Sequence, residues 1–264
     1  MARLFDDGSN EYLYRAGAAV AAVPLTMAVW VRKDDGTNGA GLMTIADESV
    51  NNHYFQLQYW TDEIVYAGAN GGAGLKEAGS TAAGGIDTWE HACGVFAAAN
   101  DRRAYLNGRN KGTNAVAATP ANLDNTTIGA RINTGAAYYT SGSLAEAAIW
   151  SATLTDIEVW LSAQGVPPPF IRPQALVGYW PLVRGDQDRD WKSQNLNMAA
   201  INTPDWYVHP PKVLSFWERF QASATSQGSI LQRIAPNVWQ DSVRGNGLYY
   251  IPRPPAAYNT LAIY

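Results

Sequence analysis

Apolar residues recur at every second position through a long series of short stretches. In "LTMAVWVR", Leu25, Met27, Val29 and Val31 alternate with Thr26, Ala28, Trp30 and Arg32. That is the period of a strand with one apolar face. The series continues with "GLMTIAD" (Gly41 to Asp47), "YFQLQYW" (Tyr54 to Trp60), "EIVYAGA" (Glu63 to Ala69), "WEHACGVFA" (Trp89 to Ala97) and "RRAYL" (Arg102 to Leu106). It ends with "TTIGAR" (Thr126 to Arg131), "SLAEAAIW" (Ser143 to Trp150) and "LVGYWPL" (Leu176 to Leu182). Asn107-Gly108 suits a two-residue type I′ hairpin, whose central residues both need positive φ. Many short strands parted by Gly, Asn and Asp turns predict an all-β, antiparallel two-sheet sandwich or jelly roll. "GANGGAG" (Gly68 to Gly74) reads as a flexible loop between strands, since it lacks the lysine and following helix of a phosphate-binding loop.

The period changes once, in "GSLAEAAIWSATLTDIE" (Gly142 to Glu158). Thr155 followed three residues later by Glu158 is a capping box. Leu154 and Val159 occupy the positions of a hydrophobic staple. Ile157, Trp160 and Leu161 are expected to form the apolar stripe of one short helix. Gly165 and Pro167 to Pro169 close it. Glu146 stands inside the preceding strand, on the face of Leu144, Ala148 and Trp150, where a carboxylate needs a partner. Its expected role is structural, as are those of Thr155 and Glu158.

Beyond "HPPK" (His209 to Lys212) the alternation lapses. Residues 213–264 are rich in Pro, Ser, Gln and aromatics, and are too apolar for a solvated disordered tail. They predict an extended arm whose Trp217, Trp239, Tyr249 and Tyr250 dock on a surface, since aromatic anchors dominate such contacts. The expected division is a body over 1–212 and an arm over 213–264. Four arginines against Glu218 and Asp241 give the arm +2, so the total of −4 places −6 on the body.

Of the 264 residues, 47% are hydrophobic, enough for a substantial core, and only 16% are charged. The net charge of −4 excludes the basic surface that nucleic acid needs. The single cysteine, Cys93, excludes an intramolecular disulfide. No run of about 18 apolar residues suits a membrane helix, and "MARLFDDGSN" lacks the layout of a signal peptide. Synthesis in a reducing cytoplasm is expected.

Together, "FDDGSNEYLYR", "LTMAVWVR", "WEHACGVF" with "RRAYLNGR", "TIGAR", "GSLAEAAIWSATLTDIEVWLSAQG" and "LVGYWPL" resemble the laminin-G-like, pentraxin-like branch of the concanavalin A-type lectin/glucanase jelly rolls. The resemblance spans roughly 1–212 and implies two antiparallel sheets, one of them concave. The chain also resembles the kind found in bacteriophage virion proteins, such as capsid decoration proteins, head fibres and tail-associated adhesins.

That resemblance sets the chemistry to look for. Retaining glucanases need paired carboxylates about 5–5.5 Å apart. Glu146 is alone on its strand and no Glu-x-Asp-x-x-Glu run is present, so no catalytic residue is assigned. Calcium is the one cofactor considered. Asp186, Asp188 and Asp190 in "DQDRD" are spaced like the start of an EF-hand loop, but Trp191 and Asn197 stand where Gly and Glu are required. Asp6 and Asp7 form a second oxygen-rich turn. His53, His91 and His209 lie far apart, and His91 with Cys93 lacks an orienting third group. Carbohydrate binding would fall to Tyr59, Trp60, Tyr138 and Tyr139. The expected function is a non-enzymatic structural protein of a phage particle, located in the virion. Its partners would be other virion proteins and copies of itself. The alternatives are a lectin-like adhesin that binds cell-surface glycan and, after it, a glycanase.

Overall fold

The computed structural model describes residues 2–132, 134–183, 188–193 and 195–210, and the backbone of three later strands. The chain opens with β1 (Ala2–Phe5), β2 (Tyr12–Ala16), β3 (Leu25–Lys33), β4 (Ala40–Ala46), β5 (His53–Tyr59), β6 (Val65–Gly71) and β7 (Leu75–Gly79). It continues with β8 (Glu90–Ala98), β9 (Asp101–Leu106), β10 (Arg109–Asn114), β11 (Asn125–Ile128), the short pair β12 (Arg131–Ile132) and β13 (Ala136–Ala137), and β14 (Gly142–Trp150). Helix α1 (Asp156–Ala163) leads through a 3-10 turn at Pro168–Phe170 to β15 (Leu176–Trp180), β16 (Ala199–Ile201) and β17 (Asp205–Tyr207).

These strands form two antiparallel sheets. The first has the order β10-β9-β8-β3-β14-β1-β17, with β15 also on β14; the second has the order β16-β2-β11-β4-β5-β6-β7. The expected strands are present to within two residues at most ends. β6 runs on through Gly68–Gly71, so part of the expected loop is strand. Asn107 and Gly108 both take positive φ, 56° and 70°, as the hairpin requires.

Inward alternate residues of both sheets, among them Met27, Val29, Leu57, Ile128 and Ile149, make the main core. The first sheet is covered on its other face too. There Ala28, Cys93, Tyr105 and Trp150 pack with Leu154 and Val159 at the start of α1. That is why β14 is buried along its whole length. The second sheet has no helix on its outer face; part of it lies under the β12–β13 hairpin, and the candidate site is on this face.

The capping box forms as expected: Thr155 Oγ1 accepts from the Glu158 amide at 3.3 Å, and Glu158 accepts from the Thr155 amide at 2.7 Å. The apolar stripe differs. Val159, Ser162 and Ala163 face the sheet, whereas Ile157 is 71% exposed and Trp160 37%. The staple fixes the helix phase by burying Leu154 and Val159, and Ile157 and Trp160 then fall on the outer side.

Glu146 breaks the strand's alternation. One edge of β14 pairs with β1 over Gly142–Leu144 and with β15 over Ala147–Trp150. Glu146 sits at that handover, within a register shift against β3 and at φ 54°. A bulged residue reverses the facing of the residues after it. Leu144 therefore points into the main core and Trp150 to the opposite face. The carboxylate accepts from the Tyr179 hydroxyl at 2.5 Å and faces His209 Nε2 at 3.1 Å. It accepts a hydrogen bond within the fold, on a bulge that simple alternation does not reveal.

Past the body, β18 (Leu231–Ala235), β19 (Val238–Asp241) and β20 (Leu248–Tyr250) pair as an antiparallel three-stranded sheet. The sequence shows no sustained alternation there. Trp239, Tyr249 and Tyr250 lie on these strands; Trp217 lies outside the described residues.

Candidate functional site

Side chains on the open face of the second sheet come from alternate positions of its strands. From β5 these are Tyr54, Gln56 and Gln58, and Trp60 continues the row just past the strand end. From β2 they are Tyr12 and Tyr14, and from β7 Glu77. The β12–β13 hairpin adds Arg131, Tyr138 and Tyr139.

Four partly exposed aromatics form two pairs. The rings of Trp60 and Tyr138 are 4.9 Å apart, and those of Tyr12 and Tyr139 are 5.9 Å apart. Tyr138 is 38% exposed. The Trp60 ring lies flat on Gly39, where a Cβ would come within 2.2 Å of it. The Arg131 guanidinium stacks 4.2 Å from the Tyr138 ring centre and 5.3 Å from that of Tyr54.

Below the rim the face is polar. Glu77 accepts from Gln58 Nε2 at 2.7 Å and from Gln56 Nε2 at 3.2 Å. Burial pushes the Glu77 carboxyl above its ordinary pKa, against the opposing pull of Gln56 and Arg131. Tyr14 donates to Glu48 and Tyr66 to Asp62, both at 2.8 Å. Each phenol is thereby pushed up to about 12, Tyr14 chiefly by its hydrogen bond and Tyr66 chiefly by burial.

Of the four expected sugar-binding aromatics, Trp60 and Tyr138 pair with each other, and Tyr139 pairs with Tyr12 instead. Tyr59 joins neither pair. Neighbours on a strand face opposite ways, so Tyr59 points into the core, is 1% exposed and donates to Glu90 at 2.5 Å. Sequence reading passed over Tyr12, Tyr54, Gln56, Gln58, Glu77 and Arg131. The outward phase of "YFQLQYW" carries the signal for three of them.

Of the expected calcium ligands, Asp188 and Asp190 hold other partners. Asp188 is buried and holds Arg3 through two bonds, at 3.0 and 2.6 Å. Asp190 is buried and accepts from the Tyr179, Lys192 and Ser193 amides and the Ser193 hydroxyl. Asp186 lies outside the described residues. Asp6 caps its own turn through Gly8 and Ser9, and Asp7 binds Asn38. Among the described residues no group of three or more metal-ligating side chains converges. His91 Nε2 shares a 2.8 Å hydrogen bond with Ser162 Oγ. Cys93 is wholly buried, which pushes its thiol far above the reactive range.

Two antiparallel sheets packed face to face, one with a helix on its outer side and the other with aromatic and amide side chains on its outer side, define a lectin-type jelly-roll sandwich. The chain belongs to the concanavalin A-like lectin/glucanases superfamily, whose laminin G-type family model matches residues 7–160. A heptameric SAP-like pentraxin from Limulus polyphemus is similar, with a TM-score of 0.53 and 18% identity over 74% of this chain and 87% of the pentraxin. A candidate carbohydrate binding protein from Bacteroides ovatus is similar with a TM-score of 0.55 and 16% identity, over 80% of this chain and 61% of that one. At such identities the likeness is one of fold. No curated protein matches the chain.

Proposed function

We propose that this chain is a non-enzymatic glycan-recognition protein and that the open face of the second sheet is its binding platform. The observation that carries this is the pairing of the Trp60 and Tyr138 rings at the rim of a face lined by amides and hydroxyls. Aromatic faces take the apolar side of a sugar ring, and the polar groups beside them take its hydroxyls. The carboxylates described on this face are held by amide or phenol donors, Glu77 by two glutamines and Glu48 and Asp62 by tyrosines. That is the chemistry of binding rather than of acid–base attack.

A glycan array with the wild-type chain is expected to give selective, saturable binding. The double change Trp60→Ala and Tyr138→Ala should reduce it at least tenfold, about 1.4 kcal/mol. Equal binding by the two proteins would remove the platform from consideration.

A second reading is an arm-bearing structural component of a bacteriophage particle, made in the host cytoplasm, with the body over 1–212 and the arm over 213–264. The separate sheet β18–β20 favours it, because the arm then carries ordered strands to present to a partner. The partners are copies of this chain and other virion proteins, and the opposite charges of arm and body assist docking. Both roles coexist in one protein if the arm anchors the body and the body faces outward. Removing residues 213–264 is expected to leave a folded body of lower mass in solution than the full chain's assembly. A truncated protein that keeps the full assembly state would dismiss the arm.

A further inference from the structure

Two cations face inward at one end of the sandwich, and neither has a counter-charge among the described residues. Arg102 lies on β9, on the face of Ala104 and Leu106, which belong to the main core. Lys76 lies on β7, on the face of Ala78, another core residue. Asn114 brings them level. Its side chain accepts from Arg102 Nη1 at 3.1 Å and donates to the carbonyl of Glu77, the residue after Lys76, at 2.8 Å.

Arg102 is 1% exposed. Its Nη2 donates to the carbonyls of Ala99 and Val116, each at 2.7 Å, and its Nε has no acceptor. All three of its partners are neutral. Lys76 is half-buried and has no hydrogen bond or ion pair among the described residues. A charge taken out of water is ordinarily paired.

A half-open cavity of about 180 Å³ lies beside them. One wall is Gly71, Ala73 and Gly74 at the β6–β7 turn, and the other is Ala117, Ala118 and Thr119 on the segment between β10 and β11. The walls touch at Gly71, where a Cβ would stand 2.5 Å from Thr119 O. Each cation borders one wall. Lys76 Nζ is 3.9 Å from where a Cβ on Gly74 would be. Arg102 holds the carbonyl of Val116, immediately before Ala117. A further donor stands beside the turn: His53 Nδ1 accepts from the Ala121 amide at 3.0 Å, which leaves the ring's proton on Nε2, 3.5 Å from the Cβ position of Gly72. The walls carry no carboxylate.

Tying down the segment before Ala117 explains the hydrogen bonds of Arg102. It does not explain why that tie carries a charge, or why a second inward cation stands across from it. At about 30 Å³ per water in the liquid, the cavity has the volume of roughly six waters, enough for a tetrahedral oxyanion with its substituent at the mouth.

We propose that this cavity binds a doubly charged tetrahedral oxyanion, a phosphate or a sulfate, with Lys76 in contact and Arg102 acting through the Ala117 wall. The charge of Arg102 is felt across that wall because the interior screens it weakly. The site is at the end of the sandwich, apart from the aromatic face, and does not depend on the glycan-recognition reading.

Titration calorimetry on the full chain, in sodium chloride at constant ionic strength, tests the site with sodium phosphate, sodium sulfate, glucose 6-phosphate and glucose 6-sulfate. At least one should bind saturably at one site. Tighter binding of the sugar esters makes the oxyanion the terminal group of a larger ligand; tighter binding of the inorganic ions makes it the free ion. Lys76→Met removes the contacting charge, and Ala117→Leu fills the cavity without touching either cation. Each should weaken binding at least tenfold with the circular dichroism spectrum unchanged. Arg102→Gln, which keeps a donor for the two carbonyls, should weaken it as well; should that variant not fold, the other two decide. No saturable binding of any of the four ligands, or wild-type affinity in either Lys76→Met or Ala117→Leu, overturns the site.

Discussion

Replacing Arg3 with alanine is expected to destabilise the body by about 3–5 kcal/mol, the cost of leaving a buried charge without its partner. Arg3 is 8% exposed and Asp188 2%. The guanidinium clasps both carboxylate oxygens, donates to Pro204 O at 2.6 Å, and lies 4.1 Å from the Trp206 ring centre. One side chain on β1 thus holds the turn at Asp188 and the entry to β17. A domain of this size loses about 2–4 °C of melting temperature per kcal/mol, so thermal unfolding should shift by roughly 10 °C. The double change Arg3→Met with Asp188→Leu should cost less than Arg3→Ala alone, because it leaves no unpaired charge. A loss below about 1 kcal/mol for Arg3→Ala would mean that the pair is not buried as described.

Gly112→Ala is expected to cost about 3 kcal/mol, the upper end for forcing added volume into a packed site. Gly112 is on β10, at one edge of the first sheet, and a Cβ there would lie 1.6 Å from Gly79 O at the end of β7. The clash is with backbone, which no rotamer change relieves. Around it Asn114 Nδ2 donates to Glu77 O, and the Thr81 amide donates to Asn110 O, both at 2.8 Å. These contacts stitch one edge of each sheet to the other, and an added methyl would part them. Gly135→Ala serves as the control, because among the described residues nothing lies within 4 Å of its added Cβ. Denaturant midpoints of the two variants should differ clearly. If they coincide, β7 and β10 do not approach as closely as the structure has them.

Much of the fold is legible in the sequence because burial imposes a period. Strands β3, β5 and β8 announce themselves through alternation, and α1 through Thr155 and Glu158. The short edge strands do not. β10 reads "RNKGTN", and β16 and β17 have three residues each. β16 and β17 are held by partners far away in the chain and β10 by the hairpin from β9, so no local apolar pattern is required of them. The same limit applies to the bulge at Glu146. It exists because β14 changes partner from β1 to β15, which is a property of the whole sheet.

The candidate site is legible only in part. Trp60, Tyr138 and Tyr139 stand out as aromatics near loops, but Tyr59 stands out equally and points inward. Only the phase of β5 separates Tyr59 from Trp60. Gln56 and Glu77 are ordinary polar residues in sequence. They become a set because β5 and β7 belong to one sheet.

The position of β1 bears on how the chain is made. It fills the slot between β14 and β17, and Arg3 reaches a residue 201 positions later. At about 5–20 residues per second of synthesis, roughly 10–40 s separate the two ends of that contact. β1 therefore waits for its full set of neighbours until residues some 201 positions later have been made. Until then the edges of β14 and β1 are open to strands from other nascent chains. Crowded synthesis on one messenger is where this protein is most exposed to mispairing, and a chaperone that shields β1 would act on that interval.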